Sequence, residues 1–234
     1  MQQQEFDQFA DEYAALHATN IRLSGEAPDF FARYKIAELA TLWKRAGTGD
    51  PAPRLLDFGT GVGNSIPHLR HFFPQSRPVG IDISQRSLEV AEHRFPGAAE
   101  LIAFDGSTVP LPAGTIDMAF AACVFHHIEH DLHVGLLAEI RRVLRPGGLM
   151  VVFEHNPLNP LTVHAVNTCP FDRNARLIRP WKMRDRLKQA GYAPLELTFR
   201  LFFPAALAPL RRLEPGLGWL PLGAQYYVVG RKPA

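Results

Sequence analysis

The stretch that decides the fold is Leu55-Leu56-Asp57-Phe58-Gly59-Thr60-Gly61-Val62-Gly63-Asn64-Ser65, in which an apolar run ends in an acid and opens into three alternate glycines. The apolar run predicts a buried strand, and the glycines allow the backbone to turn sharply and to approach a ligand where a Cβ atom would collide. A helix is expected to begin at about Asn64. The stretch therefore predicts a strand, a cofactor-binding turn and a helix; the alternative is a glycine-rich turn that binds nothing.

The spacing of these glycines distinguishes between two kinds of cofactor. In the dinucleotide fingerprint G-x-G-x-x-G, the third glycine follows the second by three positions and the pyrophosphate rests on the helix N-terminus. Asn64 occupies that position here, and the glycine falls one residue earlier, at Gly63. The acid Asp57 at the end of the strand would repel a pyrophosphate and suits a cation.

The pattern acid-x-Gly-x-Gly-x-Gly resembles the first motif of the class I S-adenosylmethionine-dependent methyltransferases. The cofactor of that family has no phosphate and carries a cationic sulfonium and an amino acid tail. The resemblance implies that S-adenosyl-L-methionine is bound by residues of this stretch, namely Asp57, Gly59, Thr60, Gly61 and Gly63.

Further apolar runs follow in the order that this family has. The run 78–84 contains Asp82, about twenty residues beyond the glycines, where a Rossmann-like unit carries its ribose-binding carboxylate. The resemblance implies that Asp82 binds both ribose hydroxyls and that Ile83 lies beside the cofactor. It also implies that the segment 100–107 binds the adenine and that the fourth strand, in the run 116–128, ends near the cofactor. The residues concerned in these two segments are Asp105, Gly106, Ser107 and Cys123.

Residues 54 to about 200 alternate apolar runs with helical windows, which predicts right-handed βαβ crossovers and a parallel sheet. The turn signal at 144–148, Leu-Arg-Pro-Gly-Gly, introduces the fifth strand at 149–154. The tail gives two strands, 194–203 and 224–230, that resemble the sixth strand and the antiparallel seventh strand of the family. We therefore expect an α/β Rossmann-like three-layer sandwich with a seven-stranded, mostly parallel sheet and an antiparallel last strand.

The segment before the glycine motif contains two helical patterns separated by a loop at 20–29. Their apolar positions are Phe6, Phe9, Ala10, Tyr13 and Leu16, then Phe30, Phe31, Tyr34, Ile36, Leu39 and Leu42. We expect residues 1–50 to form a helical cap that serves as a lid, and 51–234 to form the methyltransferase domain with an insert at 156–180. The whole chain is expected to be a single structural domain. The cap aromatics either line an apolar pocket or fasten the helices to the core.

Length and composition favour one globular enzyme. The chain has 234 residues, 47% of them hydrophobic, a formal net charge of +2 and two cysteines. The basic residues are dispersed, which argues against a nucleic-acid surface, and two cysteines form no disulfide framework. Because the first residues are polar and no run of about eighteen apolar residues occurs, we expect a cytoplasmic protein without stable membrane insertion. The expected partner is a small-molecule methyl acceptor, and a homodimer stays open.

Catalysis of methyl transfer requires alignment of donor and acceptor and exclusion of water, with a general base where the acceptor is a hydroxyl or thiol. Four candidates lie near the predicted strand ends: His126, His127, Glu154 and His155. Neighbouring side chains of a strand point to opposite faces, so only one of Glu154 and His155 is expected to face the acceptor. We predict His155 as the base or acceptor-orienting group, Glu154 as an anchor of the loop and His126 as a second candidate base. For each of these residues the alternative is a structural role in bonding the loops.

A metal site is an alternative role for the histidines, because His126, His127, His130 and His133 have a spacing that can place two or three imidazoles on one helical face. No cysteine stands at ligand spacing, and the family motif containing His127 ordinarily uses its histidine for packing. We therefore expect no functional metal.

The favoured function is a methyltransferase acting on a small or lipid-like molecule, as in secondary metabolism or quinone biosynthesis. The alternatives are a nicotinamide-dependent oxidoreductase and a cofactor-binding protein without activity. The oxidoreductase is disfavoured by the position of Gly63 and by the lack of a Tyr-x-x-x-Lys pair after the fourth strand. The accepting atom, whether oxygen, nitrogen or carbon, is left open.

Overall fold

A computed structural model describes residues 25–47, 50–172 and 174–234. Its strands form one sheet in the spatial order β3-β2-β1-β4-β5-β7-β6. The strands are β1 Leu55–Phe58, β2 Val79–Asp82, β3 Glu100–Ala103, β4 Ile116–Ala122, β5 Leu144–His155, β6 Leu195–Arg200 and β7 Gln225–Arg231. Strand β1 pairs in parallel with β2 and β4, β3 with β2, and β5 with β4, whereas β7 runs antiparallel to β5 and β6. The predicted fold class is confirmed.

Helices connect the strands and cover the sheet. They are α1 Pro28–Arg45, α2 Ile66–Phe72, α3 Gln85–Arg94, α4 His133–Val143, α5 Pro160–Thr168, α6 Pro180–Gln189 and α7 Glu214–Leu217, with 3₁₀ helices at Phe125–His127, Pro170–Asp172 and Ala205–Leu213. The helix expected at Asn64 begins at Ile66, because the glycine turn continues through Ser65. None of the described helices is both long and apolar enough to span a bilayer.

The predicted turn at 144–148 lies inside strand β5. Ile116 pairs with Leu144, but Met118 pairs with Leu149, so the register shifts between these two pairs. Gly147 has φ +77° at this irregularity, a left-handed conformation that glycine adopts without steric cost. The Pro-Gly-Gly signal therefore marks a bulge within a strand, because neighbouring strands supply partners on both sides of it.

Helix α1 belongs to the hydrophobic core. Its residues Ile36, Leu39 and Trp43 are buried in one apolar layer with Leu55 of β1 and Phe120 of β4. The opposite face of the sheet packs against a second layer that includes residues of α4 and α6. Thus α1 is a fixed part of the fold, while the first predicted helix of the cap, at residues 6–16, lies outside the described residues.

Candidate active site

A cavity of about 530 Å³ opens at the carboxyl ends of the parallel strands. Ligands of open α/β sheets bind at this edge, outside the ends of the strands. One half of the wall is formed by the glycine loop after β1 and by residues that follow β2 and β4. The other half is formed by α1, α5 and the segment 201–204. The cavity therefore joins the predicted cofactor loops to an apolar compartment.

Left-handed backbone at Gly59, Gly61 and Gly63 produces the turn after β1, with φ values of +77°, +53° and +78°. A Cβ atom at Gly59 would come within 2.6 Å of a Val124 methyl group, so packing itself requires glycine there. A Cβ atom at Gly61 would meet no atom of the described chain within 4 Å, and it would point into open space at the cavity wall. Gly61 thus leaves room where a bound molecule would lie against the backbone.

Asp57 holds the glycine loop in place. Its carboxylate accepts hydrogen bonds from Thr60 Oγ1, at 3.0 Å, and from the hydroxyl of Ser65. Burial raises the pKa of Asp57 to about 6, although the two hydroxyl bonds oppose the shift. Asp57 and Thr60 both line the cavity, and a direct contact of Asp57 with the cofactor cation stays a prediction.

Asp82 lies at the end of β2 with each carboxylate oxygen bonded to the backbone. Oδ2 accepts the Gly61 N–H at 2.8 Å, and Oδ1 accepts the Ser84 N–H at 2.9 Å. A carboxylate offers about four lone-pair sites, so this fixed geometry leaves acceptor capacity for hydroxyl groups. Ile83 and Phe104 line the cavity beside it.

The predicted adenine segment divides between cavity and surface. Asp105 is exposed, and its Oδ1 accepts bonds from the N–H and hydroxyl of Ser107 and from the N–H of Thr108, at 2.7 to 2.9 Å. These bonds lower the pKa of Asp105. Asp105, Gly106 and Ser107 are not part of the cavity wall, whereas Phe104 is. The geometry therefore brings the Phe104 ring to the cavity wall and leaves the Asp105 carboxylate outside it, and adenine binding by this segment stays a prediction.

Cys123 ends β4 in a left-handed conformation, φ +61°, and it lines the cavity. Its N–H donates to the Phe153 carbonyl at 2.9 Å, which keeps this turn attached to β5. Burial raises the pKa of the Cys123 thiol, so the side chain is neutral at ordinary pH. A non-glycine residue with positive φ is uncommon and marks a strained position at a cavity wall.

Beyond this turn, Glu154 and Asp172 enclose His126. Glu154 Oε2 lies 2.6 Å from His126 Nδ1 and Asp172 Oδ1 lies 3.6 Å from His126 Nε2, while Glu154 Oε1 accepts the Phe125 N–H at 2.8 Å. Burial alone would lower the pKa of His126, but the two carboxylates raise it to about 10. The pKa of Glu154 would be raised by its burial and is lowered overall by His126. His126 is therefore an imidazolium, and Glu154, which is fully buried, is an anchor outside the cavity wall.

His155 and His127 remain neutral beside this ion cluster. Burial, aided by the positive charge of His126, lowers the pKa of His155 to about 4 and that of His127 to about 3. His155 lines the cavity, and its ring centroid is 5.3 Å from that of His126. A neutral imidazole at the cavity wall can accept a proton from an acceptor hydroxyl.

The polar residues after His155 serve mainly the structure. Asn156 donates from Nδ2 to the carbonyls of Pro221 and Gly223, at 3.1 and 2.7 Å. The Asn159 side chain caps α5 by accepting the N–H groups of its first turn. Of the predicted histidines, His133 bonds the Ile128 carbonyl at 3.0 Å through Nε2 and lies away from the cluster.

Asp172 and Lys35 are among the cavity residues that the sequence patterns did not indicate. Asp172 sits in the insert, and the Arg176 N–H, which donates to the His126 carbonyl at 2.8 Å, ties that insert to the histidine turn. No local pattern marks a carboxylate 46 residues after a histidine as its partner. Lys35 faces the cavity from α1, where it occupies an unremarkable position between the apolar residues Tyr34 and Ile36. Both contacts depend on tertiary structure.

Comparison with known proteins agrees with this geometry. Residues 56–152 match the family described as Methyltransferase domain. The chain is 37% identical over 108 residues to trans-aconitate 2-methyltransferase of Acidovorax sp., covering 46% of this chain and 40% of that protein. It is 31% identical over 160 residues to the ubiquinone/menaquinone biosynthesis C-methyltransferase UbiE of Syntrophotalea carbinolica, covering 67% and 62%. Thus the chain spans about 40 to 62% of the length of these relatives.

A solved structure shows the same fold. Phosphoethanolamine N-methyltransferase 2 of Haemonchus contortus, in complex with S-adenosyl-L-methionine, superposes with a TM-score of 0.60 at 18% identity, covering 87% of this chain and 56% of that one. Fold and site together define a Rossmann-like cofactor-binding protein of the methyltransferase class. Residues 56–152 therefore carry a methyltransferase domain, and the fold is that of the class I S-adenosylmethionine-dependent methyltransferases, whose cofactor is S-adenosyl-L-methionine.

Proposed function

We propose that this protein transfers the methyl group of S-adenosyl-L-methionine to a small-molecule or lipid-like acceptor bound in the same cavity. The observation that carries the proposal is the continuity of that cavity. It begins at the glycine loop and Asp82 and extends under α1 and the segment 201–204 without an intervening wall. Donor and acceptor would therefore meet in one continuous cavity, which provides the alignment that methyl transfer needs.

The donor half of the cavity suits a nucleoside. Asp82 presents a fixed carboxylate for the ribose hydroxyls, Phe104 and Ile83 offer apolar surface for the adenine, and the open space at Gly61 accommodates the amino acid tail. We propose these contacts, together with Asp57, Gly59, Thr60, Gly63 and Cys123, as the donor site. Asp105, Gly106 and Ser107 would act on the adenine only through the turn that carries Phe104.

The acceptor half is mostly apolar, with several aromatic rings, and the buried side chain of Lys35 faces it. Phe30 and Phe31 of α1 and Phe202 face the cavity. Lys35 is 7% exposed, and within the described part of the chain no carboxylate forms an ion pair with it. Lys35 Nζ lies 5.4 Å from the centroid of the Tyr34 ring, and an anionic group on the acceptor would pair with it in this buried place. These features support an acceptor with an apolar body and an acidic group, and one relative is named for a carboxylate acceptor.

His155 is the proposed base or acceptor-orienting group. It lies on the cavity wall and is neutral, whereas Glu154 bonds Phe125 and His126 behind the wall. His126 is already protonated at neutral pH, which makes it an acid or an electrostatic group rather than a base. A base is needed only where the accepted methyl group replaces a proton on oxygen or sulfur.

The test is a mass-shift screen with methyl-labelled S-adenosylmethionine. The protein would be incubated with the labelled donor and with panels of aromatic and aliphatic carboxylic acids, each paired with its primary amide. Labelled product from acids but not from amides is expected. Calorimetric titration with S-adenosylhomocysteine and with NADH would separate the proposed donor from the oxidoreductase alternative, and saturable binding of NADH alone would overturn the proposal.

A further inference from the structure

We propose that His126, His127 and Asp172 bind one divalent transition-metal ion at the wall of the cavity. Each of the three residues offers one ligand atom, and these atoms all lie within 4.8 Å of one another. All three residues line the cavity. Two imidazoles and one carboxylate that leave further positions open form a donor set typical of catalytic metal centres.

The distances within this group match a coordination sphere. Asp172 Oδ1 lies 3.4 Å from His127 Nε2 and 3.6 Å from His126 Nε2. Ligands at 2.0–2.2 Å from a tetrahedral ion are about 3.3–3.6 Å apart. The remaining edge joins the ligand nitrogens of the two imidazoles, which lie within 4.8 Å of each other.

A supporting carboxylate already orients one of the ligands. Glu154 Oε2 is 2.6 Å from His126 Nδ1, which leaves Nε2 of the same ring directed at Asp172. Glu154 is itself held by the Phe125 N–H. Histidine ligands of metal sites ordinarily bond a carboxylate or carbonyl through the second ring nitrogen, and this contact fixes both the tautomer and the ring plane.

Two buried carboxylates flank His126. Glu154 and Asp172 are 0% and 6% exposed, and they lie on opposite sides of the His126 ring, at Nδ1 and Nε2. A divalent ion bound at Nε2 would balance both carboxylates, and any proton on that nitrogen would pass to solvent. The ligand atoms are nitrogen and oxygen, so zinc, iron(II), cobalt(II) and manganese(II) are the suitable ions.

Because all three ligand residues line the cavity, a molecule bound in the cavity could reach an open coordination position of the ion. An ion held there would bind an acceptor hydroxyl or carboxylate oxygen and would lower the pKa of a bound hydroxyl, leaving a better nucleophile for the methyl group. This catalytic role rests on the proposed function. The binding of the ion itself does not, and it can be measured without donor or acceptor.

The test uses the full chain without an affinity tag, stripped with a chelator and dialysed. Titration calorimetry with zinc chloride is expected to give one site per chain, and cobalt(II) is expected to give the visible absorption of a bound ion. D172N and H127Q should each weaken zinc binding by about 100-fold or more. The matched control H130Q, a histidine outside the group, should bind zinc as the wild type does.

Absence of zinc and cobalt binding by the stripped wild type would overturn the proposal, and so would wild-type affinity in both D172N and H127Q. Each protein would also be titrated with S-adenosylhomocysteine and unfolded thermally, because a variant that has lost its fold is not counted. Should D172N fail to fold, H127Q decides the matter through the zinc affinity and the cobalt spectrum. Failure of the wild type to bind S-adenosylhomocysteine would reject the proposed function and leave the metal result standing.

Discussion

At the scale of single residues, Asp82 is expected to contribute most to donor affinity. Its oxygens are positioned by Gly61 and Ser84, so bonds to the ribose would form without reorganisation. Asp82→Ala should weaken S-adenosylhomocysteine binding by about 1.5–3 kcal/mol, the range for hydrogen bonds to charged groups. Calorimetry measures this loss, with Asp185→Ala, an exposed acid on α6, as the control. An unchanged affinity in folded Asp82→Ala would remove Asp82 from the site.

Asp57 is expected to make stability depend on pH. Its pKa is raised from 3.8 to about 6 in the folded chain, so the folded state binds the proton more tightly than the unfolded state does. The resulting stabilisation is fully present below pH 3.8 and is lost as the pH rises through about 6, an amount of about 3 kcal/mol. Asp57→Asn does not titrate. Denaturant unfolding of both proteins from about pH 4 to 7 should show the wild type losing stability relative to the variant, and parallel curves would refute this prediction.

Substitution of His155 is expected to lower the rate of turnover and to leave the affinity for the donor nearly unchanged. If the acceptor loses a proton, His155→Ala should lower kcat by about 100-fold, the usual contribution of a positioned base, with donor affinity nearly unchanged. Steady-state kinetics with the acceptor from the screen provides the measurement. His93→Ala, an exposed histidine of α3, is the control, and wild-type turnover in His155→Ala would exclude the assignment.

At the scale of elements, the glycine turn after β1 meets two requirements: a left-handed backbone conformation and free space for a ligand in the cavity. Gly61 and Gly97 both have positive φ, +53° and +62°, and both have space for a side chain among the described residues, but only Gly61 lines the cavity. Gly61→Val should abolish measurable S-adenosylhomocysteine binding by occupying the donor's place. Gly97→Val carries a similar backbone strain and should keep that binding. Calorimetry with thermal unfolding of both variants separates the two effects, and equal loss of binding would mean that strain alone is responsible.

The N-terminal cap divides into a fixed part and a part whose role is still a prediction. Helix α1 is fastened by Leu39, fully buried, and by Tyr34, whose hydroxyl donates to Gln225 and whose ring packs edge-on against Phe153. Phe30 and Phe31 instead line the cavity. The two roles weighed for the cap aromatics are therefore both found, on successive turns of one helix.

At the scale of the whole molecule, we expect the residues before α1 to be the part of the cap that closes over the cavity, because α1 is packed into the core. We expect a protease to cleave the chain ahead of Pro28 more slowly when S-adenosylhomocysteine is bound, because a ligand stabilises the state that it contacts. Limited proteolysis followed by mass spectrometry measures the rates, and cleavage within α1 is expected to be slow in both states. Equal rates with and without the ligand would mean that this segment is a support rather than a lid.

The division of the chain into a cap and a methyltransferase domain at residue 50, the homodimer and the cytoplasmic location stay predictions.

Local patterns in the sequence determined the fold and the cofactor loop. Strand positions, the glycine turn and Asp82 at the end of β2 follow from apolar runs and from residues with special backbone preferences, and both act over a few neighbours. The same locality limits what such patterns can say. The Pro-Gly-Gly turn signal could not reveal that residues 144–148 would be paired with a neighbouring strand as a bulge. The position of Asp105 after a predicted strand could not reveal that its carboxylate bonds its own turn, and its role at the adenine stays a prediction.

Only the tertiary structure decided which side chains meet at the acceptor compartment. Asp172 reaches His126 and His127 because the insert folds back over the histidine turn, and Lys35 reaches the cavity because α1 packs across the sheet. Such contacts join residues far apart in the chain, and no periodicity or spacing encodes them. The sequence by itself therefore specified a methyltransferase fold with its donor loop, whereas the charge, the candidate metal ligands and the shape of the acceptor site arise from packing between elements.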